Sequence, residues 1–301
     1  MKRTTIALCL TAFSALAQEE PAVTGPVLGY ALHAGSVRAL YGIPGAVSWG
    51  PEIIPGLETA AVSLKHDAAI ACAGGQVFVL HFDRPEEKAH LFDASCTRIV
   101  FSDRGGAAVI HDEPADRLVV VTGFPTAPQI AREIERAGAL SAIAVSNDGS
   151  KIVVAGEDGA FQVSADGARL ALPGVATASS AAISGRTAWI SARHEAVVLE
   201  IDLAGDAASI RKSATVPPLA GMVVSRDAAI LAGIDRETRK PLLWHIAREE
   251  AIPMEGSCEG ESIQTLDGNA VFRLVGRDGG SCIVDADREP PRIFLLPGAP
   301  Q

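Results

Sequence analysis

The chain has 301 residues, of which 5% are aromatic, and a formal net charge of −10. That acidity, with no Lys/Arg cluster to displace phosphate counterions, argues against a nucleic-acid partner and reads first as solubility. The length suits two average domains or one repeat-built domain, and so few aromatics would not furnish the girdles of an outer-membrane barrel.

The chain opens on a targeting signal. Lys2 and Arg3 form a positive region, Ile6 to Leu16 is a short apolar run, and Ala15-Leu16-Ala17 is a small-x-small site before Gln18. The run is too short to cross a bilayer. Leu8 is not the small residue that a lipoprotein signal places before its Cys, here Cys9. The expectation is a signal peptide over residues 1–17, cleavage after Ala17, and a single mature domain over 18–301 that is periplasmic or secreted. Removing the two leader cations takes the net charge from −10 to −12. No later apolar run approaches the roughly 18 residues of a membrane span.

Next comes LGYALHAGSVRALYGIPGA, residues 28–46, which matches the third and fourth strands of a repeat further on. It is followed by an extra stretch, Val47 to Leu57. A Ser then recurs at Ser63, Ser102, Ser146, Ser184 and Ser225, in steps of 39, 44, 38 and 41 residues. Another 41 residues reach Leu266-Asp267, where the turn persists without the Ser. Each Ser closes a short apolar stretch and opens a polar turn, from AAVSLKHD to MVVSRDAA. A period of about 40 residues built from short strands marks a β-propeller.

The unit from Leu140 to Ala176 is the cleanest. SAIAVS, KIVVAG, AFQVSA and ARLAL read as four strands separated by NDGS, EDG and Asp166-Gly167, since Gly tolerates the positive φ of tight turns. The segment Gln129 to Leu140 carries apolar residues at Ile130, Ile134 and Leu140 that could suit a helix. The surrounding period requires a fourth strand there. The expected fold is all-β: a propeller of four-stranded antiparallel blades, with six full units and one partial unit giving seven blades. Six blades with an N-terminal extension is the alternative.

AVSNDGSKIVVAGEDGAFQV, residues 144–163, resembles the repeats of bacterial exported WD40-like and YVTN-type propellers, in which Ser-x-Asp-Gly commonly ends the first strand. The likeness covers most of the mature chain, although the Tyr-Val-Thr-Asn signature and the Trp-Asp dipeptide are both missing. It implies a fold and a compartment and leaves the ligand open.

Four Cys remain after cleavage: Cys72, Cys96, Cys258 and Cys282. An even count in an exported chain suggests disulfides. The local pairing, Cys72–Cys96 with Cys258–Cys282, spans 24 residues twice and is the one expected. The alternative is that Cys72 and Cys282 are small core hydrophobes. No C-x-x-C pair points to a metal.

No nucleophile elbow, H-E-x-x-H, P-loop or EF-hand loop occurs. The Asp-Gly pairs at Asp148, Asp158, Asp166, Asp267 and Asp278 read as turns rather than Ca²⁺ ligands. His111-Asp112-Glu113 and Arg193-His194-Glu195 are the strongest polar clusters and read as solvated turns. No catalytic, metal or cofactor-binding residue is assigned, and no cofactor is expected.

In a propeller, the loops between strands two and three emerge on one face with the blade-to-blade links, and those between three and four on the other. Sorted this way, the three-to-four loops are acidic: Asp83, Glu86, Glu87, Asp166, Asp202, Asp206, Glu249, Glu250, Asp285, Asp287 and Glu289. The two-to-three loops are mixed in sign, which permits specific pairing. The longest of them, Gly233 to Pro241, makes Asp235, Arg236, Glu237 and Arg239 the candidate partner-binding loop. The reading is an exported, non-enzymatic propeller that binds another protein or a cell-surface component. The rival is a lactonase-like hydrolase with its site in the central channel. A quinone-cofactor propeller fits less well, because only Trp49, Trp189 and Trp244 could dock the ring.

Overall fold

Short runs of Val, Ile and Ala between Gly-, Asp- and Ser-rich turns leave room for strands and little else. In the computed structural model all 27 regular elements among the described residues are β-strands. The described residues are 25–298 without 64–67, 136, 165, 205–207, 255 and 278. The leader and its cleavage site, as well as Asp206 and Asp278, lie outside them.

Six sheets have four antiparallel strands in chain order. Blade 2 is β4 (Thr59–Ser63), β5 (Ala68–Ala73), β6 (Gln76–His81) and β7 (Arg84–Asp93). Blade 3 is β8 (Arg98–Phe101), β9 (Ala107–Asp112), β10 (Arg117–Thr122) and β11 (Gln129–Glu135). Blade 4 is β12 (Ala142–Val145), β13 (Ile152–Gly156), β14 (Gly159–Val163) and β15 (Arg169–Ala171). Blade 5 is β16 (Ala178–Ser184), β17 (Thr187–Ala192), β18 (Val198–Asp202) and β19 (Ser209–Ala214). Blade 6 is β20 (Leu219–Val224), β21 (Ile230–Asp235), β22 (Pro241–His245) and β23 (Glu250–Ile252). Blade 7 is β24 (Ser262–Thr265), β25 (Val271–Val275), β26 (Ser281–Asp285) and β27 (Arg292–Leu296).

Blade 1 has three strands among the described residues, β1 (Val27–His33), β2 (Ser36–Ile43) and β3 (Ala46–Ile54). Seven blades therefore form the ring. The ambiguous Gln129 segment is strand β11, paired along β10 through one bulge.

The core is distributed among the seams. Seven apolar clusters each join two neighbouring blades: Val37 and Ile54 meet Ala71 and Leu80 between blades 1 and 2, and Leu28 and Leu40 meet Leu266 and Ile283 between blades 7 and 1. This explains why strands in the middle of a blade can be apolar throughout instead of alternating. β13, sequence IVVAG, is buried at every position because both faces of its sheet are covered. Outermost strands are solvated: β19 carries Arg211 and Lys212 on an almost wholly exposed strand, and such charges discourage edge-to-edge pairing.

Blade 1 departs from the expected pattern. Val47 to Leu57 is no extension: most of it is β3, masked in the sequence by Gly50 and Pro51, which weaken a strand signal. Nor do the preceding runs act as third and fourth strands. The backbone N–H of Leu57, just before β4, donates to Gly35 O at 2.8 Å, and Asp267 N–H, just after β24, donates to Leu28 O at 2.7 Å. Thus β1 ends where β4 begins and begins where β24 ends. It runs against the flanking inner strands, so β1, β2 and β3 have the directions of second, third and fourth strands.

Both disulfides follow the local pairing, with Cα–Cα distances of 6.1 Å for Cys72–Cys96 and 6.5 Å for Cys258–Cys282. Each ties a blade strand to an adjoining link: Cys72 lies on β5 and Cys282 on β26. Disulfides of this kind are compatible with an oxidising compartment. No helix among the described residues is long and apolar enough to cross a membrane.

Candidate partner-binding face

At Ser102, Ser146 and Ser225 the recurring Ser is a turn former, whereas Ser63 Oγ finds no hydrogen-bond partner among the described residues. Ser146 Oγ donates to Asp148 Oδ1 at 2.6 Å and accepts from Lys151 N–H at 2.9 Å. Ser225 repeats this with Asp227 at 2.6 Å and Ile230 N–H at 2.9 Å. The hydroxyl thus closes the turn after the first strand, reaching five residues ahead. Gly149 completes it with φ of 73°, in the left-handed region that Gly tolerates. The Ser146 hydroxyl, followed by the Ser150 backbone, holds the Asp148 carboxyl below the usual range.

These turns also link neighbouring blades. Asn147 Oδ1 accepts from Gly106 N–H at 2.9 Å, Asn269 Nδ2 donates to Asp227 Oδ2 at 2.8 Å, and Arg226 pairs with Asp267 at 2.9 Å. Ser184 Oγ of blade 5 donates to Asp103 Oδ2 of blade 3 at 2.9 Å. That contact skips a blade, so turns meet across the mouth of the channel on this face.

The acidic tally of this face changes in two ways. Glu86 and Glu87 belong to β7, Asp202 ends β18, Glu250 opens β23 and Asp285 ends β26, where it is buried, so these five are strand rather than loop residues. The first-to-second turns share the face and add Arg104, Lys151, Arg186 and Arg226 beside Asp103, Asp148, Asp227 and Asp267. Charge of both signs therefore occurs here as well.

Most inner strands carry small apolar and hydroxyl side chains, as in TAAVS of β4, AIAV of β12, ASSAAIS of β16 and LAGMVV of β20, while β24 adds Gln264 and β1 adds Tyr30 and His33. β8, RIVF, brings one charge, Arg98, whose Nη1 donates to Ser141 O at 2.6 Å. Among the described residues no three His, Cys, Asp or Glu side chains gather as a metal-ligand set.

On the opposite face Arg117, Arg193 and Arg277 are matched, while Glu113, Asp116, Asp158 and Glu195 form no ion pair among the described residues. Arg117 pairs with Asp112 at 3.0 Å and Glu133 at 2.7 Å. Arg193 reaches across a seam to Glu157 at 2.8 Å, and Arg277 pairs with Glu261 at 3.1 Å. The polar clusters read from sequence separate here. His111 and Asp112 are buried on β9 instead of lying in a loop, and His111 Nε2 has no hydrogen-bond partner among the described residues. Burial lowers the His111 pKa, against the opposing pull of Glu113. His194 and Glu195 are exposed at a loop tip, as expected.

The turn after β21 differs. Asp235 Oδ1 accepts from Glu237 N–H and Thr238 N–H, both at 2.8 Å, and Arg239 N–H donates to Asp235 O at 2.9 Å. Arg239 has a φ of 60°, and its carbonyl accepts from Gly260 N–H of the next link at 2.9 Å. Asp235 is therefore the pin of the turn. Arg236, Glu237 and Lys240 are exposed, Arg239 is half-buried, and none of the four forms a side-chain ion pair among the described residues.

One polar cluster was not visible in the sequence, because its members are scattered over 250 residues of chain. At the seam of blades 7 and 1, Arg273 is 2% exposed and its guanidinium lies 5.1 Å from the Trp49 ring. It donates to Ser281 Oγ at 3.0 Å and, at 3.5 Å, to Leu32 O and Gln264 Oε1. It has no carboxylate partner among the described residues, and burial lowers its pKa to about 10. His33 stacks on Trp49 at 4.7 Å; burial, then Arg273 and Arg38, lower its pKa. Arg38 pairs with Glu52 at 2.6 Å. The cluster covers the inner edge of β1, where the Leu28, Tyr30 and Leu32 carbonyls are met by blade 7.

No protein-family model and no curated protein matches this chain. Its fold is similar to that of Hsv2 from Kluyvelomyces marxianus, with TM-score 0.57 and 11% identity over 88% of this chain and 92% of that one. It is also similar to a functionally unknown protein from Desulfotomaculum acetoxidans DSM 771, with TM-score 0.67 and 9% identity over 91% and 96% of the two chains. At these identities the likeness establishes a β-propeller and nothing about its ligand.

Proposed function

We propose that this chain is an exported, non-enzymatic β-propeller that binds another protein through the face bearing the two-to-three loops, with the turn 235–240 at the centre of contact. The observation that carries this reading is the turn itself: a backbone fixed by Asp235 presents Arg236, Glu237, Arg239 and Lys240 without ion pairs among the described residues. Fixed, unpaired charges on a rigid scaffold give orientation and partner choice at low ordering cost.

The test leaves Asp235 in place, because reversing it breaks the turn. Arg236→Glu, Glu237→Lys and Arg239→Glu are combined, and capture of partners from periplasmic or culture extract is compared with the parent protein. Loss of a captured protein with an unchanged melting temperature supports the reading; unchanged capture overturns it.

A further inference from the structure

His33 ends β1 at the seam that closes the ring, and it is half-buried there. Its imidazole lies 4.7 Å from the Trp49 ring, and the buried Arg273 guanidinium lies 5.1 Å from the same ring. At that range salt screens the two groups only in part. Arg273 Nε finds no hydrogen-bond partner among the described residues. Arg38 of β2 is the second cation facing His33, and the carboxylate of the cluster, Glu52 of β3, is taken by Arg38 at 2.6 Å. The elements around the cluster add no unmatched anion among the described residues. β4 and β24 have no acidic side chain, and Glu58 of the next link accepts from Gly74 N–H at 2.9 Å. Glu261 and Asp285 are paired with Arg277 at 3.1 Å and Arg288 at 2.8 Å. His111 differs, because Glu113, Asp116 and Asp112 act on it as well as Arg98.

A neutral His33 can lie against Trp49 beside Arg273. An imidazolium adds a third positive charge where the one carboxylate is already used. Trp49 attracts a cation, but Arg273 already lies against that ring. The repulsion falls on a seam that no strand bridges: the Leu28, Tyr30 and Leu32 carbonyls of β1 are met by Asp267 N–H, Gln264 and Arg273 of blade 7. Protonated histidines switch other interfaces in this way. We propose that the seam between blades 7 and 1 is an acid-sensitive latch, in which protonation of His33 beside Arg273 and Arg38 loosens the contacts of β1 with blade 7 while the other seams stay closed. The Ala34-Gly35 turn that follows His33 belongs to the two-to-three face, so acid would reshape that face at one edge.

Amide exchange read residue by residue at about pH 7 and about pH 5, corrected for the intrinsic pH dependence of exchange, tests the latch. Asp267 N–H, which donates to Leu28 O, reports this seam. Leu219 N–H, which donates to Ser191 Oγ at 2.9 Å between blades 5 and 6, reports a seam without the cluster. On acidification the protection of Asp267 should fall at least about threefold more than that of Leu219. The difference should vanish in His33→Gln and shrink in Arg273→Met, where one of the two facing cations is gone. Melting at about pH 7 shows whether each variant is folded, and the comparison of the two amides in the parent protein needs no variant. Equal changes at both amides, a difference that survives in His33→Gln, or one that is undiminished in Arg273→Met would each overturn the proposal.

Discussion

Gln264 Nε2 donates to Tyr30 O at 2.8 Å, joining residues 234 apart in sequence across the seam that closes the ring. Beside it, Arg273 reaches Leu32 O and Asp267 N–H reaches Leu28 O. Among the described residues each sheet is built from one continuous stretch of chain. Among these residues closure rests on packing and these cross-seam bonds, with no strand shared between the two ends.

Arg273 gives the sharpest test of that seam. It is a buried cation without a carboxylate, so its desolvation is only partly offset by hydrogen bonds. Arg273→Met removes the charge at similar length and should change stability by no more than about 1 kcal/mol. Arg273→Lys concentrates the charge and cannot span Ser281, Gln264 and Leu32 together, so it should cost about 2 kcal/mol or more. Urea melts of both variants decide the matter; a Lys variant at least as stable as the Met variant would show that the seam does not act as described.

The Ser-Asp turn predicts a local titration. The Asp148 carboxyl lies below its usual range, chiefly through the Ser146 hydroxyl. A depressed carboxylate contributes stability that is fully present above its unfolded pKa and is lost as pH falls through the folded one. In Ser146→Ala the carboxyl should titrate closer to pH 4, the ordinary Asp range of about 3.9, and the acid melt should begin at higher pH. Carboxyl carbon shifts in the two proteins measure this directly, and coincident curves would refute it.

Acid should also act through two imidazoles. His33 and His111 both have lowered pKa values, each chiefly from burial. Their folded pKa lies below the unfolded value near 6.5, so the unfolded state takes up protons first and stability falls as pH drops below about 6.5. His111→Gln should flatten that part of the stability curve. A curve with unchanged slope between about pH 6.5 and 5 would remove His111 from the account.

Much of the scaffold can be read from local residues, because each blade repeats its own turn chemistry. Ser146, Asp148 and Gly149 mark a strand end by hydrogen bonds confined to six residues, and the Cys pairs join neighbours in sequence. What escapes local reading depends on the ring. β3 contains Gly50 and Pro51 and is held by its partner β2 through two register shifts, which no period reveals. His111 looks like part of a polar loop until β10 pairs with β9 and buries it. The seam cluster unites Trp49 with Arg273 only once blades have been set side by side. The turn 235–240 was legible as a charged loop, while the role of Asp235 as its pin needed the backbone geometry.

The uninterrupted blades have a consequence for how such a chain can change. A sheet that borrowed a strand from the far end of the sequence would be broken by any rearrangement of the units between. Here blades 2 to 7 each occupy one stretch with its own Ser- or Asp-marked turn, so copying or excising about 40 residues adds or removes a complete sheet. The unit that folds is also the unit that can be inherited, and ring size becomes a quantity that recombination can alter one blade at a time.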